Sequence, residues 1–219
     1  MNTFRADLHV HTVLSPCGDL EMSPVNIVAA AKAKKIDILG ITDHNSTRHC
    51  RLITNLAADA GIFVLCGAEI TSAEEVHCLA FMPDFESLNT LQEYLDAHLP
   101  DIKNDVNKFG YQVQVDEEEQ ILYEEEKLLI SAIDQNVDEI ADFVHRHGGI
   151  FIPAHINRPA FGLISQLGFV PPDLNFDALE ISRHVSKADF LSQNAHLTNF
   201  TFVTSSDAHF PEDIGRIHT

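Results

Sequence analysis

Alternating and continuous apolar runs predict strands along most of the chain. In ADLHVH (6–11) apolar and polar residues alternate, so the side chains of Asp7, His9 and His11 share one face of a strand. IDILGITD (36–43) is almost wholly apolar, which is typical of a strand buried on both faces. Five further strands are predicted, namely IFVLCGAEI (62–70), VHCLAFM (76–82), GIFIPAH (149–155), DALEIS (177–182) and FTFVTSS (200–206).

Helices are predicted between most of these strands. Ser23, followed by Pro24, has the residue types preferred at the start of a helix. Ser46 or Thr47 can begin a second helix that ends at about Asp59. Seven strands with intervening helices indicate a mixed α/β fold, either a βα barrel or an open parallel sheet.

The middle of the chain has a different pattern. Residues 84–133 include an acidic amphipathic helix, FESLNTLQEYLDAHL, and a second helix that ends near Phe109. The segment YQVQVDEEEQILYEEEKLLI then predicts a strand, an acidic turn and another strand. We interpret 84–133 as an insertion or lid on a single domain that spans residues 1–219.

The charge of the chain limits its partners. It has 33 acidic and 14 basic residues and a net charge of -19. This argues against binding long nucleic acids, because such binding needs a basic surface. A small anion still binds if metal ions create a local positive centre. We therefore expect a small phosphorylated substrate and no duplex nucleic acid.

The sequence gives no sign of a membrane segment or of secretion. No apolar run approaches about 18 residues, and MNTFRADLHVHT lacks the basic and apolar regions of a signal peptide. The four cysteines form no CxxC pair and are expected to be reduced, mostly buried thiols. The expected location is the cytoplasm, with no membrane partner.

Metal-capable side chains recur at the C-terminal ends of the predicted strands, where parallel α/β folds build active sites. His9 and His11 share a strand face, so both imidazoles can chelate one ion. Asp43 and His44 end a buried apolar strand and need a partner for their charge. Six histidines and three carboxylates are candidate ligands, if the loop after the first strand is included with the strand ends. They are His9, His11, Asp19, His44, Glu69, His77, His155, Asp207 and His209.

The size of this set predicts the kind of site. A closed structural site needs only four ligands, so nine candidates imply more than one ion. Nitrogen and oxygen ligands suit zinc, manganese or iron and do not separate them. Several neighbouring ions favour hydrolysis, in which one ion activates a water and the others polarise phosphoryl oxygens.

The ordered motifs DLHVHT…SPCGD, ITDHN, GAEIT, EVHCLAF, PAHINR and SSDAHF resemble those of the polymerase-and-histidinol-phosphatase (PHP) superfamily, from Ala6 to about Arg216. The resemblance implies a distorted seven-stranded (β/α)7 barrel that hydrolyses phosphoester bonds with two or three divalent metal ions. A hydroxide that bridges the ions would be the nucleophile. The helix expected after the last barrel strand is absent or cut short, because only ten residues follow His209.

The resemblance also implies three ligand sets. One ion would be held by His9, His11, Glu69 and Asp207. A second ion would share Glu69 and be held by His77 and His155. A third ion would be held by Asp19, His44 and His209. Some members have a histidine in the loop after the first strand, where the candidates here are Cys17 and Asp19.

Candidate catalytic and substrate-binding residues follow from the same resemblance. Arg158, in HINR, resembles an arginine that binds the substrate phosphate, a role that suits a bidentate guanidinium. Arg183 and His184 follow a predicted strand and are candidates for substrate contact and for protonation of the leaving group. The catalytic candidates are Asp207, His209, Arg158 and His184, and the substrate-binding candidates are Arg158 and Arg183.

The leading hypothesis is therefore a phosphoesterase that acts on a small phosphorylated metabolite or nucleotide. A phosphomonoesterase and a phosphodiesterase or short-oligonucleotide nuclease both remain open. A metal-dependent amidohydrolase also begins with HxH on a barrel strand, but it usually has a bridging lysine that no predicted strand end has here. A regulatory metal-binding module without activity is the non-enzyme alternative, and the full set of nine candidate ligands argues against it.

Overall fold

The computed structural model describes residues 3–219, and Met1 and Asn2, with which the predicted single domain begins, lie outside the described residues. The strands over residues 3–219 are β1 (Ala6–Val10), β2 (Ile38–Ile41), β3 (Phe63–Thr71), β4 (His77–Phe81), β5 (Val113–Val115), β6 (Ile121–Glu124), β7 (Ile150–Pro153), β8 (Leu179–Glu180) and β9 (Phe202–Val203). The helices over the same residues are α1 (Pro24–Ala33), α2 (Cys50–Ala58), α3 (Phe85–His98), α4 (Val106–Phe109), α5 (Val137–Arg146), α6 (Leu163–Leu167) and α7 (Lys187–Gln193).

Five strands form one curled, mixed sheet in the order β1-β2-β3-β4-β7. The first three strands of this order are parallel, whereas β4 is antiparallel to both β3 and β7. A short turn joins β3 to β4, and parallel strands would need a much longer crossover. Strands β8 and β9 form a separate parallel pair.

The predicted mixed α/β fold is confirmed, but the seven-stranded (β/α)7 barrel is not. All seven strands that the sequence predicts for a barrel are present, yet β8 and β9 have 2 residues each. Such short strands form no ladder with β7 or β1 among the described residues. Individual hydrogen bonds cross the two gaps, among them Ile156 N to Glu180 O (2.9 Å) and His11 N to Ala208 O (3.1 Å). The sheet is therefore a half-barrel.

Apolar side chains bury both faces of this sheet. On the helical side, α1 and α2 contribute side chains such as Ile27 and Ile53, which pack in one cluster with Ile41 of β2. Each fully buried side chain of this kind stabilises the fold by roughly 1.5–3 kcal/mol. A second cluster joins strands of both sheets and includes Leu8, Leu79, Ile152, Ala178 and Val203. This inner core holds the strand ends of the two sheets together.

Side-chain caps explain where several helices begin. The Ser23 hydroxyl accepts a hydrogen bond from Asn26 N at the start of α1, as the sequence predicts. Helix α2 begins at Cys50 rather than at Ser46 or Thr47. The reason is that the amide and hydroxyl of Thr47 both donate to Gln92 Oε1, a tertiary contact that replaces the cap.

The predicted insertion contains α3, α4 and an antiparallel β5–β6 pair, so its helix, helix and hairpin are confirmed as elements. Asn45 Nδ2 donates to the carbonyl oxygens of Leu129 (2.6 Å) and Ser131 (2.8 Å), which ties the end of the insertion to the β2 end. Val113 and Val115 of β5 pack on Val13 in the loop after β1. The insertion thus lies against loops that follow the strand ends.

The last residues of the chain return to β1. A 3₁₀ helix (Pro211–Asp213) follows the segment that carries Asp207 and His209. Thr219 exchanges backbone hydrogen bonds with Ala6, and Gly215 N donates to the buried Asp7 carboxylate at 2.7 Å. Within residues 3–219, none of the helices is long and apolar enough to cross a membrane.

Candidate metal centre

Two histidines of β1 and its end lie at the centre of the candidate site. His9 and His11 are both fully buried, and their Nε2 atoms are 3.2 Å apart. His11 Nδ1 lies 3.0 Å from the Ser15 hydroxyl, and that hydroxyl donates to Asp43 Oδ1 at 2.7 Å. The Ser15 oxygen is therefore free to accept from His11 Nδ1, which leaves Nε2 of His11 available to bind a cation.

The Glu69 carboxylate is surrounded by imidazoles. It is 1% exposed, and no lysine or arginine contacts it within residues 3–219. Oε1 lies 3.2, 2.9 and 3.1 Å from nitrogens of His9, His77 and His155. Oε2 lies 3.3 and 3.2 Å from nitrogens of His11 and His44. A buried carboxylate needs a compensating charge, and a carboxylate between two groups of imidazoles can bridge two cations.

Asp207 reaches the same centre from the segment after β9. Its Oδ1 is 3.5 Å from His9 Nε2 and 3.6 Å from His11 Nε2, while Oδ2 accepts a hydrogen bond from Arg158 at 2.7 Å. Asp207 (φ 50°) and His155 (φ 27°) both have left-handed backbones. Non-glycine residues adopt such backbones at a cost of about 1–3 kcal/mol, and they cluster at functional sites.

Carboxylates around His9 and His11 raise the pKa of both imidazoles. Burial disfavours a charged His9, but Glu180, Glu69 and Asp207 outweigh burial and raise the pKa of His9 well above its ordinary value. Against the same opposing burial, Asp207 and Glu69 raise the pKa of His11 to about 9. Burial is likewise outweighed at Glu69, where the nearby histidines hold the carboxyl pKa well below its ordinary value. A divalent cation can replace these protons.

Burial favours the neutral form of three other imidazoles of the centre, and some buried ring nitrogens there make no hydrogen bond. Burial lowers the pKa of His44 and His77, and it lowers the pKa of His209 to about 4. Neutral imidazole is the form that binds a metal. Among the described residues, His77 Nε2 and His155 Nδ1 are buried without a hydrogen-bond partner, and His44 Nδ1 lies 3.2 Å from Glu69 Oε2 but makes no hydrogen bond. Such atoms are rare in folded proteins, and the donor set suits divalent cations.

Three groups of ligand atoms within 4.8 Å of one another are close enough to hold an ion. They are His9, His11 and Glu69, then His44, Glu69 and His77, and finally His11, Cys17, His44 and His209. His155 and Asp207 contact the first two groups through Glu69 and His9. Asp19 is in none of the three groups. Its carboxylate accepts from Glu21 N (2.8 Å), and its amide donates to the His209 carbonyl oxygen (3.0 Å).

The sequence reasoning passed over Glu180, which is 2% exposed and ends β8. Its Oε2 lies 3.0 Å from His9 Nδ1 and accepts the His155 backbone N–H at 2.9 Å. A carboxylate that holds the far nitrogen of a metal-binding histidine fixes its tautomer and orientation. The signal was available, because Glu180 is a strand-end carboxylate like Glu69.

A pocket of about 340 Å³ opens over this centre and contains the predicted substrate residues. Arg158, Arg183 and His184 all line it. Arg183 donates to the Ser206 carbonyl oxygen (2.9 Å) and to Asp213 (3.1 Å), so its guanidinium is held in place. Ile130 also lines the pocket, so the end of the insertion forms part of the wall. The arrangement can place an anion between guanidinium groups and the ligand cluster.

The sequence matches the profile of the PHP domain over residues 7–162 and that of a PHP-associated family over residues 191–219. An uncharacterised protein of Bacillus subtilis, YqxK, is 25% identical over 99% of this chain and 57% of its own length. A Methanocaldococcus jannaschii protein, MJ1587, is 37% identical over 32% of this chain and 46% of its own length. The chain therefore spans about half the length of these curated relatives.

Solved structures share the fold. Endonuclease Q from Pyrococcus furiosus, described as lesion-specific, has a TM-score of 0.70 at 18% identity over 97% of this chain and 50% of its own. Endonuclease Q in complex with a 27-mer duplex that has an abasic lesion gives 0.66 at 16% identity, over 95% of this chain and 49% of its own. Identities this low establish the fold alone.

The expectation that the partner is a small substrate and that duplex nucleic acid is excluded is wrong. Endonuclease Q, which has this fold, binds a duplex with the lesion at its active site. The net charge of -19 does not exclude a nucleic acid, because it sums over the whole chain and does not describe the potential at one site. The potential at a metal site depends on the bound cations and on nearby groups such as Arg158.

Proposed function

This chain belongs to the PHP domain family, and on that premise we propose that it is a metal-dependent hydrolase of phosphoester bonds. The observation that supports this most strongly is the buried Glu69 carboxylate, with nitrogens of five imidazoles within 3.3 Å. A carboxylate in that position is suited to bridge two divalent ions. Arg158 and Arg183 in the adjoining pocket supply positive charge for a phosphoryl group.

The ligand sets proposed for the ions follow the side chains that meet at this centre. One set is His9, His11, Glu69 and Asp207, and the second is His77 and His155 with the shared Glu69. Bound ions would supply Lewis acidity and a water activated for attack on phosphorus. Glu180 and Ser15 orient the imidazoles of His9 and His11, which keeps their Nε2 atoms turned inward.

Residues around the pocket would hold the substrate and protonate its leaving group. Arg158 already contacts Asp207 Oδ2 at 2.7 Å, so its guanidinium can bind phosphoryl oxygens beside a proposed ligand. His184 is exposed and lines the pocket, and in this proposal it donates a proton to the leaving group. We further propose that 84–133 acts as a lid within one domain, since Ile130 forms part of the pocket wall.

A phosphodiester within DNA is a specific candidate for the bond that is cleaved. The likeness to endonuclease Q over 97% of the chain favours this candidate. The acidic surface does not prevent it, because the Arg158 and Arg183 side chains line the pocket where the scissile phosphate would lie. The same pocket can admit the phosphate of a monoester, so both ester classes belong in one test.

The test is hydrolysis after metal removal and reconstitution. Chelator-treated protein is supplied with Zn²⁺, Mn²⁺ or Fe²⁺ and given p-nitrophenyl phosphate, bis-p-nitrophenyl phosphate and a duplex oligonucleotide with an abasic site. We expect metal-dependent cleavage of at least one substrate, lost in His9→Ala and Asp207→Ala but retained in His196→Ala, an exposed histidine outside the pocket. Metal-independent activity, or no activity on any ester tested, would contradict the proposal.

A further inference from the structure

Phe210 is an exposed aromatic side chain at the pocket over the candidate metal centre. It lines the pocket and is 46% exposed, whereas most of the other lining residues are polar or charged. No other aromatic ring stacks on it within residues 3–219. The ring of Phe210 is therefore available to a substrate in the pocket.

The backbone of Phe210 is held beside a guanidinium that is proposed to bind phosphate. Pro211 disfavours a helical backbone at the residue before it, and Phe210 is extended (φ -133°, ψ 145°). The Phe210 carbonyl oxygen accepts the Asp213 N–H at 3.0 Å. The Asp213 carboxylate in turn accepts from Arg183 at 3.1 Å. One short segment thus carries Phe210 and fixes Arg183 at the same rim of the pocket.

A second aromatic ring of the pocket, Phe161, is already partly covered. Its centroid lies 4.5 Å from that of His77, and the two rings are nearly parallel at 16°. The Phe161 carbonyl oxygen also accepts the His77 N–H at 3.0 Å. Phe161 has a left-handed backbone (φ 58°), a costly conformation that is concentrated at functional sites. Phe161 therefore positions an imidazole, and Phe210 is the ring with more area for a substrate.

The size of the pocket and the charge of the chain limit what Phe210 can bind. The pocket of about 340 Å³ is near the lower end of the usual range for small-ligand sites, roughly 300–1,000 Å³. It therefore suits one ligand unit rather than a run of stacked bases. A net charge of -19 offers little long-range attraction to phosphates. Affinity then depends on local contacts, and stacking on an aromatic ring needs no net charge.

We propose that Phe210 determines substrate specificity by stacking on a nucleobase next to the phosphate that is hydrolysed. The inference rests on the proposed phosphoesterase function and names its substrate class, which is phosphoesters with one nucleobase adjacent to the reacting phosphate. Arg183 binds the phosphate while the ring of Phe210 covers the base. A nucleobase suits this place better than an aliphatic group, because its flat face matches the ring and its polar edges match Ser182 and His184, which also line the pocket.

The first measurement compares substrates that differ only by the base, with the metal-loaded full chain. Thymidine 5′-monophosphate is paired with 1,2-dideoxyribose 5-phosphate, and the dinucleotide of two thymidines is paired with its base-free analogue. We expect the wild type to have the higher kcat/KM on the base-bearing member of the pair that it hydrolyses. Phe210→Ala and Phe210→Leu should lower this preference by roughly 5- to 150-fold, and Phe210→Tyr should keep it. Phe169→Ala, at an exposed position outside the pocket, is the matched control.

The second measurement does not depend on turnover. The chain has no tryptophan, so Phe210→Trp introduces a single one beside the pocket. Thymidine 5′-monophosphate should quench the tryptophan fluorescence of this variant by stacking, and 1,2-dideoxyribose 5-phosphate should not. Phe169→Trp carries its tryptophan outside the pocket and should respond to neither ligand.

The outcomes separate this inference from the proposed function. If an ester is hydrolysed without preference for the base, or if Phe210→Ala or Phe210→Leu keeps the wild-type preference, the stacking role is overturned and the function stands. Equal quenching by the two ligands, or none, in Phe210→Trp would also overturn it. If no ester is hydrolysed but only the base-bearing ligand quenches Phe210→Trp, the stacking site stands and the hydrolase function falls.

Discussion

Glu180 Oε2 lies 3.0 Å from His9 Nδ1, and both side chains are buried. The same oxygen accepts the His155 backbone N–H at 2.9 Å. One carboxylate at the end of β8 thus positions His9 on β1 and the segment that follows β7. Because Nδ1 of His9 faces Glu180, Nε2 faces Glu69 and Asp207, where it can bind an ion.

The change Glu180→Gln keeps the size of this side chain and removes its charge. We expect metal affinity to fall roughly 10- to 100-fold, which is the usual effect of losing a partner that orients a ligand histidine. Competition with a coloured chelator measures the affinity. Glu212→Gln, at an exposed position outside the pocket, is the matched control. An unchanged affinity in Glu180→Gln would show that the contact does not support metal binding.

Arg158→Ala removes a guanidinium from the pocket without removing a proposed ligand. We expect kcat/KM on the best ester to fall by roughly 10²- to 10³-fold, the usual effect of losing one donor to a developing oxyanion, with the metal content unchanged. Arg158→Lys should recover part of the loss, since it keeps the charge but not the bidentate geometry. Arg146→Ala, at an exposed position on α5, is the control. Full activity in Arg158→Ala would remove Arg158 from the substrate-binding residues.

His49 connects the β5–β6 hairpin to the loop after β1 in its neutral form. Its Nε2 accepts the Val115 backbone N–H (3.0 Å), and its Nδ1 lies 2.6 Å from the Thr12 hydroxyl. Burial lowers the pKa of His49 below the ordinary 6.5, although Asp43 opposes the shift. The unfolded chain therefore binds a proton as the pH falls through 6.5, before the folded chain does.

Stability that depends on neutral His49 is present above pH 6.5 and is lost as the pH falls from there toward the lowered pKa. His49→Gln can keep both contacts without titrating. We expect its free energy of unfolding, measured with urea on metal-free protein, to fall less steeply below pH 6.5 than that of the wild type. Parallel curves for the two proteins would show that His49 does not contribute to the pH dependence.

Asp7 joins β1 to the end of the chain. Its buried carboxylate accepts from Ser206 N (2.9 Å) and Gly215 N (2.7 Å). Asp7→Ala leaves two buried donors without partners, so we expect a loss of about 2–5 kcal/mol in the free energy of unfolding. Asp7→Asn should cost less, since it keeps one acceptor. Asp37→Ala, at an exposed position, should change stability by less than about 1 kcal/mol in the same urea experiment.

The strands of the fold were predictable because their apolar pattern reflects local burial. The segments around β2 and β3 run apolar because most of their residues are buried, whereas every residue of β1 is buried although its sequence alternates. That pattern does not specify which strands pair or in which direction they run. The antiparallel β4 follows from a short turn, and the incomplete barrel follows from the two-residue lengths of β8 and β9. Tertiary contacts set those lengths, so an apolar run could not predict them.

The candidate site was predictable to the extent that strand ends converge. His9, Glu69 and His155 come from separate strands and meet within 3.2 Å because those strands end at one edge. Loop residues were harder to place, because their backbone depends on contacts distant in sequence. Asp19 and Cys17 are two positions apart, and the hydrogen bond from Asp19 N to His209 helps to bring the sulfur of Cys17, not the Asp19 carboxylate, to the cluster.

The most direct measurement of the central claim is turnover against the number of ions bound per chain, in one series of samples from chelator-treated to fully reconstituted protein. The predicted result is no turnover until the second ion binds, because Glu69 is suited to join two cations. Glu69→Gln should bind fewer ions and remain inactive at every metal concentration. Full turnover in samples with fewer than one ion per chain, or in Glu69→Gln, would contradict a multi-metal phosphoesterase.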